Sequence, residues 1–175
     1  MRLLFTILTV LTFGQLWSQS ADDYVRKIEG LRNKGQLTTK TSVDKTPVGS
    51  MTAYYNNKKS LVLISTLTDA EASGTETLYF FRDGILTKAF IMASTFKSND
   101  GWKEYYKKHK SVDKCYSCHG EPYCRVTAIT FADSATFAAT ENKKQRKITQ
   151  DEKTKMLTEL QKTSEELKIL AKELQ

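Results

Sequence analysis

Three strand–turn–strand units follow one another between Met51 and Thr140. Few folds other than an antiparallel sheet accept such a series. Each unit has one form: an aromatic run, a turn, then a second apolar strand. Met51–Tyr55 and Ser60–Leu67 flank Asn56–Asn57–Lys58–Lys59, where asparagine tolerates the left-handed step of a turn. Glu76–Arg82 and Ile85–Thr95 flank Asp83–Gly84, a strong short-range hairpin signal. Tyr123–Phe131 and Ala135–Thr140 flank Ala132–Asp133–Ser134. The spacing of the units is unequal, which suits a tandem of hairpins better than a solenoid. One antiparallel meander of about six strands is expected, near the common size for a sheet.

Such a sheet needs a cover, and both ends of the chain offer one. Over Ser20–Lys34, Tyr24, Ile28 and Leu31 share one helical face beside Val25, Ser20 can cap, and Gly35 can end the turn. Asp22 and Asp23 fall in the first turn, where the helix dipole favours negative charge. Gly35–Ser50 then reads as a polar, threonine-rich connector with Pro47 and Gly49. At the other end, Thr149–Gln150–Asp151–Glu152 is a capping box. Met156, Leu160, Thr163, Leu167, Leu170 and Leu174 follow at alternating four and three, a heptad seam. Three heptads with a threonine in the seam favour a helix laid on its own sheet over a coiled-coil partner. The fold class expected is α+β, with a domain over 21–140 and a charged linker plus amphipathic helix over 141–175.

Residues 1–20 read as an export signal. Arg2 begins it, Leu3–Phe13 is an apolar run of secretory length, and Ser18, Ser20 and Ala21 offer cleavage near 19–21. The run is short for an uncleaved anchor, since a spanning helix needs about 20 apolar residues. No cysteine follows it to carry a lipid. Cleavage takes Arg2 from a net charge of +7 and removes no acid, so the mature chain stays basic. Lys97–Lys114 concentrates six lysines among Trp102, Tyr105 and Tyr106. An exported chain seldom meets nucleic acid, so an acidic glycan, a headgroup layer or solubility is the expected meaning of that charge.

Thr52–Val62, Thr77–Ala89 and, more weakly, Arg125–Ala138 follow the form aromatic-aromatic-x-Asn/Asp-Gly-Lys-Leu. In this the sequence resembles a group of small exported hairpin-repeat proteins common among Bacteroidota. The resemblance covers about half the mature chain. It implies an exported α+β domain and carries over no catalytic residue. The chain departs from the group by its cysteine-bearing insert at 97–124 and its long terminal helix.

All three cysteines lie within that insert, as Cys115, Cys118 and Cys124, with His119 beside the second. Three readings stay open. In an oxidising compartment Cys124 can pair with Cys118 or Cys115, leaving one thiol over. Alternatively, Cys115–x–x–Cys118–His119–Gly120 resembles the attachment motif of the c-type cytochromes. That resemblance implies haem c tethered through Cys115 and Cys118, with His119 as the iron ligand. Met156, the one methionine after the motif, already belongs to the heptad seam, and His109 is the only other histidine. Lastly, Cys115, Cys118, His119 and Cys124, with His109, could hold a metal such as zinc, although this is not the usual finger spacing.

The chain has no G-x-S-x-G, H-E-x-x-H or phosphate-loop motif. Asp22–Asp23 and Glu165–Glu166 are consecutive pairs that diverge around a helix. The expectation is therefore an exported, non-catalytic binding or interaction protein without a cofactor, meeting a protein or envelope ligand. It would act through the insert, an open sheet edge or the terminal helix. The alternatives are a monohaem electron carrier and a chain that self-associates through Met156–Leu174.

Overall fold

The computed structural model describes residues 21–46, 49–70, 73–95, 123–131, 135–141 and 144–174. Residues 1–20, expected to be an export signal, and the insert up to residue 122 lie outside the described residues. Helix α1 covers 21–33. Eight strands follow: β1 (Thr38–Thr46), β2 (Gly49–Tyr55), β3 (Leu61–Ala70), β4 (Ser73–Arg82), β5 (Ile85–Thr95), β6 (Tyr123–Thr130), β7 (Thr136–Glu141) and β8 (Lys144–Gln145). The chain closes with α2 (Gln150–Glu173). Every strand pairs antiparallel with the next, giving one sheet in chain order. The expected meander is present as β2 to β7, with its three hairpins paired as read.

Two strands exceed the six expected. The connector Gly35–Ser50 carries β1, which pairs with β2 from Thr38 opposite Tyr55 to Ser42 opposite Met51. Its signal is the β-branched run Thr38, Thr39, Thr41 and Val43, which favours strand although it holds little apolar surface. The linker contributes β8, two residues extended by a bond from Arg146 N–H to the Ala139 carbonyl at 2.8 Å.

Both faces of the sheet are covered. Ala53, Ile64, Tyr79, Ala89 and Ile129 are successive cross-strand partners forming one row, and they pack with Leu160, Leu167 and Ala171 of α2. Their neighbours Leu63, Leu78, Phe80 and Phe90 point the other way and pack with Val25 and Ile28 of α1. A two-sided core explains the unbroken apolar runs Val62–Ile64 and Leu78–Phe81, because residues of both parities are buried. Phe80 and Phe90 meet edge-to-face at 5.8 Å, the favoured aromatic geometry.

α1 also docks through charge. Lys88, buried on β5, donates to Asp22, so one of the two aspartates read as dipole partners reaches the sheet, while Asp23 holds Arg26 on its own helix. Arg32 lies 3.5 Å from Glu29 and 5.1 Å above the Tyr54 ring. Glu76 on β4 is buried and accepts from Ser65 Oγ at 3.0 Å.

α2 starts at the capping box read from sequence. Thr149 Oγ1 accepts from Glu152 N–H at 3.2 Å, and the Glu152 carboxylate accepts from Thr149 N–H at 2.9 Å. The helix lies on the sheet, as favoured. Met156, Leu160, Leu167, Leu170 and Leu174 of the seam all pack against the sheet core. The fully buried line runs through Leu160, Ser164, Leu167 and Ala171, with Ser164 taking an inward place not read from the heptads. Glu152 is held down to about 2, first by the Thr149 amide and then by Arg146. A carboxyl lowered in the folded state stabilises above its ordinary value of 4.5 and loses that contribution as pH falls towards 2. Glu152→Gln keeps the capping geometry and removes the charge. Its melting temperature should therefore fall less steeply than that of the parent across this window in acid thermal melts.

Candidate basic cleft

Antiparallel pairing sends alternate hairpin turns to alternate ends of the sheet. The β2–β3 and β4–β5 turns therefore project side by side at one end. Asn56 organises the first turn. Its side-chain oxygen accepts from the amides of Lys58 and Ser60, both at 3.0 Å, while its carbonyl accepts from Lys59 N–H at 2.9 Å. Lys59 takes the left-handed step with φ 60°, a place where glycine is usual. In the second turn Asp83 and Gly84 both have positive φ, at 52° and 77°, as a type I′ turn requires.

Between these turns, α1 and the last turns of α2 lies an open cleft of about 810 Å³. Lys27 of α1, Lys58 and Lys59 of the first turn, Arg82 of β4, and Lys168 and Lys172 of α2 line it, against the single carboxylate Asp83. Its floor is apolar, from Ile28, Leu31, Leu61 and Val62. The aromatic side chains there are already engaged. Tyr24 OH donates to the Phe81 carbonyl and Tyr55 OH donates to the Ala171 carbonyl at 2.6 Å. Burial pushes the Tyr24 phenol up to about 12, against the pull of Arg82, so it stays a donor at any physiological pH.

The cations divide into two sets. The Arg82 guanidinium sits 4.6 Å above the Tyr24 ring, and Lys168 is paired with Glu165 at 2.9 Å and lies 5.9 Å from the Phe81 ring centre. No carboxylate of the described residues lies within ion-pair distance of Lys27, Lys58, Lys59 or Lys172. Four exposed ammonium groups facing one hollow favour an anion by charge, with no acid–base couple among them. A smaller hollow of about 450 Å³ between α1 and β5 differs in kind. There Asp22, Glu29, Arg26 and Lys88 mix both signs.

None of these six cations figures among the site residues read from the sequence. They come from four elements, α1, the first turn, β4 and α2, up to 145 positions apart, and only adjacent Lys58–Lys59 in a turn gave a local hint. Of the residues that were read as a site, Cys115, Cys118 and His119 lie outside the described residues, as do His109 and Lys97–Lys114. Cys124 is the second residue of β6, with its backbone opposite Ser94. The insert thus leaves after Thr95 and returns at Tyr123, which are cross-strand partners at the end of the sheet away from the cleft. Among the described residues no group of three or more His, Cys, Asp or Glu could hold a metal, and no helix is long and apolar enough to cross a membrane. No protein-family model matches the chain, and neither a curated protein nor a solved structure is similar to it.

Proposed function

We propose that this is an exported, non-catalytic binding protein whose ligand carries a negative charge and seats in the cleft between the two hairpin turns. The observation that carries the reading is the set of four lysines without a carboxylate partner among the described residues, gathered from α1, one turn and α2 around a single hollow. Lys59 adds a second argument. A lysine held at positive φ is strained by about 1 kcal/mol or more, and glycine would serve the turn better. A charged side chain kept at such a cost points to use of the charge.

Titration with a soluble phosphomonoester, glycerol 3-phosphate, followed by amide shifts in NMR, tests this. The expected result is saturable movement of the Lys58–Ser60 and Gly84 amides, weakened several-fold in Lys58→Gln and lost in Lys27→Gln/Lys58→Gln/Lys172→Gln. Lys59→Gly should split the two roles: stability unchanged or raised by up to about 1 kcal/mol, with anion binding reduced. A variant that binds as the parent does would remove Lys59 from the site. The mass of the exported protein is expected to equal that of its processed peptide. A covalently added haem on Cys115 and Cys118 would replace the binding reading with electron transfer.

A further inference from the structure

We infer that the anion is the headgroup of an acidic phospholipid presented by a bilayer, and that the molecule docks on that surface with its hairpin-turn end. The inference rests on the reading of the cleft as an anion site and names its ligand. Its independent observation is Ile85. This side chain is 71% exposed and follows directly on Asp83 and Gly84, which line the cleft, opposite Arg82 in the hairpin register. An exposed aliphatic at the end of one hairpin turn, with Lys58 and Lys59 on the other turn that lines the same cleft, matches an interface that is charged at its surface and apolar just beneath. A soluble anion would use the lysines and leave the isoleucine without a purpose.

The distribution of acids sets the orientation. Ile169 is exposed to a similar degree, at 60%. It lies on the outer face of α2, at helical spacing from Glu165, Glu166, Glu173 and Lys172, with Glu165 paired to Lys168 and Glu166 to Lys162. That face mixes both signs, whereas the tip gathers lysines without a carboxylate partner among the described residues, so an anionic surface attracts the tip more strongly and the two isoleucines should behave differently. The cleft is open and its floor partly apolar through Leu31 and Leu61, which suits a headgroup with the start of its chains better than a compact inorganic ion.

Co-sedimentation of the mature protein with vesicles tests the inference, using phosphatidylglycerol mixed equally with phosphatidylcholine, and phosphatidylcholine alone. Binding is expected to the mixed vesicles only and to weaken with salt. It should fall about fivefold for each of Lys58→Gln and Lys172→Gln, and further for Ile85→Ser. Ile169→Ser and Lys144→Gln, the latter at the far end of the sheet, should bind as the parent does. Circular dichroism melts confirm that each variant is folded. Equal binding to both vesicles, or mixed-vesicle binding that ignores Ile85→Ser, overturns the inference. Glycerol 3-phosphate bound at the cleft with no vesicle binding also overturns it, and leaves the anion site standing. Binding to neither probe removes both readings.

Discussion

Deleting residues 149–175 should leave a chain with no cooperative unfolding transition. The deletion removes Leu160, Leu167 and Ala171 from the core, along with partly buried Met156, Leu157, Leu170 and Leu174. It also strips the cover from Met51, Ala53, Ile64 and Tyr79, all buried on that face of the sheet. Fully burying a leucine is worth about 1.5–3 kcal/mol, so the helix contributes roughly 10 kcal/mol. That is comparable to the roughly 5–15 kcal/mol that holds a whole domain together. The polar contacts point the same way, since Tyr55 OH loses the Ala171 carbonyl and is left on an exposed face. Leu167→Ala is the graded form of the same test. Leu167 is 0% exposed, and the substitution should cost about 3 kcal/mol, lowering the urea midpoint without changing the slope. Had α2 been an arm for pairing with a second chain, the truncated protein would keep a cooperative melt and lose only a dimer. A sharp thermal transition in the deletion variant would therefore return the helix to that role.

Gly49→Ala should be the most damaging of the alanine substitutions at Gly30, Gly35, Gly49 and Gly84. Gly49 starts β2 with φ 83°, and a Cβ built there would stand 2.4 Å from the Leu67 carbonyl oxygen. The obstacle is backbone in the middle of a sheet, so relief requires β3 to move away at the point where Ser50 faces Leu67. Left-handed strain and the clash together should cost about 2–4 kcal/mol. Gly35→Ala is the control, because Gly35 also has positive φ, 65°, but its Cβ would meet open space. It should cost about 1 kcal/mol. Urea denaturation of the two variants measures the difference. Equal destabilisation would mean that close approach at Gly49 is not what selects glycine.

These two results bear on which parts of the molecule were legible in the sequence. The hairpins were, because period-two patterning and the Asp83–Gly84 turn act within a dozen residues. β5 coincides with its expected span, Ile85–Thr95. The capping box of α2 was legible for the same reason, since Thr149 and Glu152 satisfy each other's backbone locally. β1 was not, because Thr38–Thr46 shows one large aliphatic, Val43, and becomes a strand by lying against β2. β8 is two residues long and exists only as an extension of the β7 edge.

The candidate site shows the same division more sharply. Lys27, Lys58, Lys59 and Lys172 are ordinary surface lysines when read one at a time. They become a site because antiparallel pairing puts two turns at one end of the sheet, and because α1 and α2, on opposite faces, both reach that end. Ile85 likewise reads as the first residue of an apolar strand, yet it stands exposed at the tip of its hairpin.

The amino-acid pattern by itself determined an α+β chain with antiparallel hairpins and a capped terminal helix, since turn chemistry, side-chain alternation and helix caps are interactions between near neighbours. Tertiary structure alone decided which helix covers which face, the extra strands at the edges, and the gathering of distant lysines around one cleft. Those outcomes depend on which surfaces can be buried together and on where paired strands bring their turns, and neither is a property of any short stretch of sequence.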